Sequence, residues 1–155
     1  MSRVQLALRV SDLEGSVAFY SKLFGVEPAK RRPGYANFAV ENPPLKLVLL
    51  KGAADQPTVM DHLGVEVSST DDVNAATKRL TESGLITLEE NDTECCYALQ
   101  DKVWVRGPGN EPWEVYTVKA DANVLNMGGD GDECRCGEAT DAAQEPASSG
   151  AARCC

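Results

Sequence analysis

The sequence predicts an α+β fold made of two βαβββ modules around a cleft, followed by a disordered C-terminal tail. Three observations carry this. A strand–helix–strand plan occurs twice at an offset of 57 residues, a glycine follows each helical stretch closely, and large apolar residues vanish beyond about position 127.

In chain order, Gln5-Leu6-Ala7-Leu8-Arg9-Val10-Ser11 is apolar at alternate positions, the mark of a half-buried strand. Ser11 or Asp12 can cap the helix that follows to about Phe24, with Val17, Phe19, Tyr20, Leu23 and Phe24 as its apolar side. Gly25 ends it. Tyr35–Val40 and Lys46–Lys51 read as strands, with Asn42-Pro43-Pro44 turning between them. The plan then repeats. His62-Leu63-Gly64-Val65-Glu66-Val67-Ser68 alternates in the same way, a helix runs from about Asp71 to Glu82, and Gly84 stops it. The later strands read as Ile86–Glu89, Cys96–Gln100, Val103–Arg106 and Trp113–Val118. Aligning Val10-Ser11 with Val67-Ser68 places Gln5 on His62. The modules are expected over residues 1–51 and 61–119, joined by a linker at 52–60.

Residues 120–155 read as a linker and tail. Positions 128–155 hold six acidic and two basic residues and no Ile, Leu, Val or aromatic residue. Such a segment buries too little apolar surface to offset the entropy of ordering.

The chain has 155 residues and a net charge of −9. Its acidity argues against nucleic acid, whose phosphates it would repel. No apolar run approaches the roughly 20 residues that span a bilayer. The N-terminus carries no secretory pattern, so a cytoplasmic protein is expected, in a compartment that keeps thiols reduced. Six cysteines fall in three close pairs: Cys95 with Cys96, Cys134 with Cys136, and Cys154 with Cys155. Pairs so local cannot staple distant segments and read better as soft-metal or metalloid ligands. The four tail cysteines could capture such an ion on a tether, or be dispensable.

His62 is the only histidine. It opens a strand at the duplicated position, opposite Gln5, which also carries a donor atom. Glu114 lies between large apolar residues in Trp113-Glu114-Val115-Tyr116, where a carboxylate is not buried without a partner. The pattern alone also allows an outward-facing glutamate on an edge strand.

Residues 3–119 resemble the vicinal oxygen chelate superfamily, which includes glyoxalases, extradiol dioxygenases and fosfomycin-resistance proteins. The resemblance rests on Val10-Ser11-Asp12-Leu13, Phe19-Tyr20, Leu23-Phe24-Gly25, His62-Leu63-Gly64 and Trp113-Glu114-Val115-Tyr116. It implies metal ligands at Gln5, His62 and Glu114. The nearest members usually carry histidine at the Gln5 position. Two histidines and a carboxylate form the facial triad of non-heme iron(II) oxygenases. A neutral amide oxygen is a weaker and harder donor, so other divalent ions are also expected to fit.

The stretch Cys95-Cys96-Tyr97-Ala98, with Gln100-Asp101-Lys102 and Trp104-Val105, resembles the carbon–arsenic lyases and cadmium-induced proteins within that superfamily. Trivalent arsenic prefers thiolates, and an arsenical with one carbon substituent has two exchangeable hydroxyls, which two thiols saturate. The resemblance implies iron(II)- and dioxygen-dependent cleavage of the carbon–arsenic bond of trivalent organoarsenicals, giving arsenite. Cys95 and Cys96 would then bind the substrate and take part in catalysis. Sequestration of cadmium or arsenic without catalysis is the alternative. Adjacent strand residues point to opposite faces, so the two cysteines can share one atom only at a bulge, turn or loop. Tyr97, Lys102, Trp104 and Tyr116 are further pocket candidates. Either a monomer or a homodimer is compatible with two modules in one chain.

Overall fold

A computed structural model describes residues 2–123. The tail cysteines Cys134, Cys136, Cys154 and Cys155, and the expectation of disorder, lie outside the described residues. Ten elements follow in order: β1 (Arg3–Val10), α1 (Leu13–Phe24), β2 (Lys30–Arg32), β3 (Tyr35–Val40), β4 (Leu45–Lys51), β5 (Val59–Glu66), α2 (Thr70–Glu82), β6 (Leu88–Cys95), β7 (Ala98–Arg106) and β8 (Pro112–Asp121).

The fold is α+β, as predicted. All eight strands join one curled sheet in the order β2-β3-β4-β1-β5-β8-β7-β6. The order is symmetric about its centre. β1 and β5 pair antiparallel, and each is flanked on its outer side by the parallel last strand of its own half, β4 or β8.

The helices form where their ends are capped. The Asp12 carboxylate accepts from the Gly15 amide at 2.9 Å, and Gly25 closes α1 in the left-handed conformation at φ 68°. Ser69 caps α2 through the Asp72 amide at 3.2 Å. The buried stripe of α1 is Leu13, Val17, Tyr20 and Phe24, which packs with Leu6, Leu8, Val10, Phe38, Leu47 and Leu49. Phe19 and Leu23, expected on that side, are exposed, because the helical period turns them away from the stripe.

The second half departs from the sequence reading in two places. Glu90–Glu94, the polar stretch between the strands expected at Ile86–Glu89 and Cys96–Gln100, belongs to β6, with an irregularity between Glu90 and Thr93 that absorbs the polar residues. The two short strands expected at Cys96–Gln100 and Val103–Arg106 are one strand, β7, because β8 pairs with it along its whole length. The three-residue edge strand β2 was not expected, and β5 begins at Val59, inside the stretch read as a linker.

Alternation along each strand separates two faces. Leu6, Leu8 and Val10 of β1 face α1, while Ala7 joins a cluster on the other face with Tyr35, Val48, Leu50, Cys95, Cys96, Tyr97 and Trp104. That cluster joins strands from both halves, so the sheet curls until β3 and β4 meet the β6–β7 turn. Gly64 sits at the centre of this face. It is registered with Gln5 on one side and Glu114 on the other, and a Cβ there would stand 3.3 Å from the Gln5 Cβ and 3.1 Å from the Glu114 Cγ. A strand ordinarily gains stability when glycine becomes alanine. Here Gly64→Ala is expected to lose about 1–3 kcal/mol through crowding, read as a lower urea midpoint at unchanged slope.

Candidate functional site

Gln5, His62 and Glu114 converge from three adjacent strands, all at least 96 % buried. The Gln5 amide nitrogen donates to Glu114 Oε1 at 2.7 Å and lies 2.9 Å from His62 Nε2. His62 Nε2 is 3.3 Å from Glu114 Oε1. Glu114 is thus an interior residue of the sheet, not an outward-facing edge glutamate.

Each ligand candidate is held from behind. His62 Nδ1 is 2.8 Å from Asp61 Oδ1, and Asp61 is itself ion-paired with Arg9. This bond fixes the ring and leaves Nε2 facing the site. Burial disfavours the charged imidazole, but the bonds to Asp61 and Glu114 outweigh it and lift His62 to about 9. The Gln5 amide nitrogen opposes them, since its approach to Nε2 suits a neutral, accepting ring. Burial likewise disfavours the Glu114 carboxylate, yet the Lys102 ammonium and His62 hold it at about 2. Lys102 is fully buried, its Nζ 3.2 Å from Glu114 Oε2 and 5.3 Å from the centre of the Trp104 ring. Trp104 stands edge-on to His62 at 5.6 Å between ring centres.

Among the described residues no three His, Cys, Asp or Glu side chains cluster as a metal site. A divalent ion held here therefore needs Gln5 as its third protein ligand. One imidazole nitrogen, one carboxylate and one amide meet at a point, a set that suits a divalent ion once the amide presents its oxygen rather than the nitrogen it presents as packed. The Glu114 Oε2 is also buried without an aligned hydrogen bond. The repeat places Val48, the β4 neighbour of Ala7, where Glu114 neighbours Gly64. The first half thus contributes an apolar wall where the second contributes a carboxylate.

Cys95 ends β6, and Cys96 and Tyr97 form the two-residue turn into β7. Both have positive φ, 52° and 63°. Hairpin turns of this kind favour glycine or asparagine, so two bulky residues hold a strained backbone. The turn answers the geometric condition set by the sequence. The Cys95 and Cys96 sulfurs lie 3.6 Å apart, on the same side, close enough to bond one atom. The hydrogen bond from Cys95 and burial push the Cys96 thiol well above its ordinary range.

A cavity of about 20 Å³, room for about one water, is lined by Gln5, His62, Glu114 and Cys96 together with Tyr35, Lys46, Val48 and Gln100. Cys96 shares it with the three ligand candidates, and Cys95 lies behind in the core. Asp61, Tyr35, Lys46 and Gln100 were missed in the sequence. The position of Asp61 directly before His62 was the one available signal; the others depend on strand register. Tyr97 covers the turn, its ring tilted at 60° against Tyr35 with 5.6 Å between centres and its carbonyl accepting from Lys30 at 3.1 Å.

Residues 3–115 match the glyoxalase/bleomycin resistance protein/dioxygenase superfamily. A trivalent organoarsenical cleaving enzyme of Thermomonospora curvata is 66% identical over 134 residues, covering 86% of this chain and 89% of the relative. The cadmium-induced protein CadI of Mycobacterium tuberculosis is 58% identical over 140 residues, covering 90% of this chain and 91% of the relative. Among solved structures, a Mn(II)-bound glyoxalase from Novosphingobium aromaticivorans superposes with a TM-score of 0.56 at 21% identity, over 79% of this chain and 42% of its own. That likeness speaks to the fold.

The Lys102–Glu114 pair has a testable energetic signature. Removing one member of a buried pair leaves an uncompensated charge, at about 3–5 kcal/mol, whereas apolar replacement of both is close to neutral. Lys102→Met is expected to lose that amount in urea denaturation of the metal-free protein, and Lys102→Met with Glu114→Leu to recover most of it. Equal losses in both variants would show that the pair is not coupled.

Proposed function

The chain belongs to the glyoxalase/bleomycin resistance protein/dioxygenase superfamily, and from that premise we propose that it cleaves the carbon–arsenic bond of trivalent organoarsenicals in arsenic detoxification. The observation that carries this reading is a Gln5–His62–Glu114 corner that shares its cavity with Cys96, whose sulfur has the Cys95 sulfur 3.6 Å behind it. The 66% identity to an organoarsenical cleaving enzyme supports it. No helix among the described residues is long and apolar enough to cross a membrane, and we place the reaction in the cytoplasm, where the thiols stay reduced. One chain holds all five residues, so a monomer suffices and a homodimer need not share the site.

In the proposed binding step, Cys95 and Cys96 exchange their S–H bonds for As–S bonds to methylarsonous acid or an aromatic analogue. The two arsenic hydroxyls leave as water. The turn fixes the direction of both sulfurs and so orients the organic substituent. Gln5, His62 and Glu114 would hold iron(II), or another divalent ion, which supplies dioxygen activation when bound. Lys102 keeps Glu114 ionised. Tyr35 lines the cavity, and Tyr97 and Trp104 pack against Tyr35 and His62, so that aromatic rings limit water around the site. For the methyl substrate the overall conversion balances without a reductant: methylarsonous acid and dioxygen give arsenite and formaldehyde. The small cavity and the buried thiols require the β6–β7 turn to move outward to admit substrate.

The 58% identity to a cadmium-induced protein favours a second reading, sequestration of cadmium or arsenic without turnover. Protein loaded anaerobically with iron(II), then given methylarsonous acid and oxygen, separates the two. Catalysis is expected to release more than one arsenite per chain with equimolar formaldehyde. Bound arsenical with no arsenite would favour sequestration. Cys96→Ser is expected to lower kcat/KM at least about 10²-fold, since the second bond to one atom is worth about 10²–10⁴ in avidity.

The raised Cys96 thiol also sets a pH signature. Cys96 is protonated at neutral pH, and a neutral arsonous acid takes its proton away in water, with none released. Arsenical binding is therefore expected to be flat between about pH 6 and 8. Cadmium must expel the thiol proton, so its affinity through Cys96 is expected to rise at least about tenfold per pH unit there. Equal slopes for the two ligands, measured by competition titration, would contradict the thiol assignment.

A further inference from the structure

Gln5 has a property that the Glu114 carboxylate lacks and that, in His62, the bond to Asp61 settles: its two faces are chemically opposite. As packed, it presents its amide nitrogen to His62 and Glu114 and its oxygen to the Tyr116 hydroxyl. A cation requires the reverse, because an amide nitrogen carries no lone pair for it. For Gln5 to serve as a ligand, the amide must turn over, and its nitrogen must find an acceptor on the far side.

Tyr116 is built to be that acceptor. It is 1 % exposed, on β8 two residues beyond Glu114. Its hydroxyl lies 3.0 Å from Glu66 Oε2 as well as within reach of Gln5. Glu66 is kept ionised by Arg3 at 3.1 Å and Lys46 at 3.2 Å. Lys46 also lies 4.9 Å from the centre of the Tyr116 ring, which fixes the ring between them. A hydroxyl has one proton and two lone pairs. With the proton on the Gln5 side, it holds the amide oxygen away from the site. With the proton on Glu66, the same oxygen accepts from the amide nitrogen, and the Gln5 oxygen faces His62 and Glu114. Both states keep the buried polar atoms of Gln5 and Tyr116 partnered, and no heavy atom of Tyr116 has to move.

We propose that Tyr116, backed by Glu66, is the positioning residue that selects which face of the Gln5 amide the ion meets. This rests on the reading that Gln5, His62 and Glu114 hold a divalent ion. It accounts for how a neutral amide can stand at a position where the charge-free oxygen must compete with the amide's own nitrogen.

The test measures binding of manganese(II) alone, an ion that prefers oxygen and nitrogen donors to thiolates, by loss of the free-ion electron paramagnetic resonance signal. Tyr116→Phe is expected to weaken binding about 10–100-fold, the range for an outer partner of a metal ligand. In a Gln5→Glu background the same change is expected to alter binding less than about threefold, because a carboxylate offers oxygen on both sides. Equal losses in the two backgrounds, or no loss with Gln5 present, would overturn the proposal. Should Gln5→Glu not fold, the ¹⁵N side-chain amide of Gln5 reads the same event on adding magnesium(II): a shift is expected in the wild-type chain and a different one in Tyr116→Phe, and an unmoved signal overturns the turning of the amide. A wild-type chain that binds no manganese, or a Gln5→Ala chain that binds it undiminished, would instead remove the metal reading itself and this inference with it.

Discussion

A carboxylate that must stay charged in the middle of a sheet constrains the rest of this molecule. Glu114 is 2 % exposed. Burial alone would neutralise it; the Lys102 ammonium, the His62 ring and the Gln5 amide keep it ionised. Each partner then needs its own support. Lys102 is enclosed by Trp104 and lies near Cys95, Cys96 and Glu90. His62 leans on Asp61 and through it on Arg9, and Gln5 leans on Tyr116 and Glu66. An apolar filling of the same volume would be at least as stable. Glu114 Oε2 and Lys102 Nζ face each other at 3.2 Å without an aligned hydrogen bond, so the pair is held by charge more than by directed bonding.

Much of this frame was legible in the sequence because it depends on local periodicity. Alternation marked β1 and β5, Asp12 and Gly25 bracketed α1, and the 57-residue offset set Gln5 against His62 before any pairing was known. The remainder depends on register. Whether Lys102 points in or out follows from its pairing with Tyr116 across β7 and β8. The turn at Cys96 and Tyr97 carries neither glycine nor asparagine, so no turn signal announced it. It is recognisable only once β6 and β7 are seen to pair up to Cys95 and Ala98. The exposed Phe19 and Leu23 misled for the opposite reason, since hydrophobicity was read without its angle around the helix.

The two halves have divided their labour at equivalent positions. Gln5 answers His62, Ala7 answers Gly64 and Val48 answers Glu114. The second half supplies both charged or basic donors. The first supplies an amide and an apolar wall of Val48 and Tyr35, against which the thiol turn packs. One cavity therefore presents nitrogen and oxygen groups on one side and the Cys96 sulfur on the other.

That division bears on which partner goes where. A divalent cation gains most from Glu114, already ionised and aimed inward, and least from the Cys96 thiol, which burial and Cys95 keep protonated. A neutral trivalent arsenical has the reverse preference. It exchanges hydroxyl for sulfur without needing a thiolate in advance, and it gains nothing from a carboxylate that it cannot neutralise. On the proposed reading, the Cys95 hydrogen bond and the burial that hold the thiol proton in place would disfavour a cation at the sulfurs while leaving them open to arsenic. Separation of the two proposed ligands would then follow from protonation state as much as from donor softness.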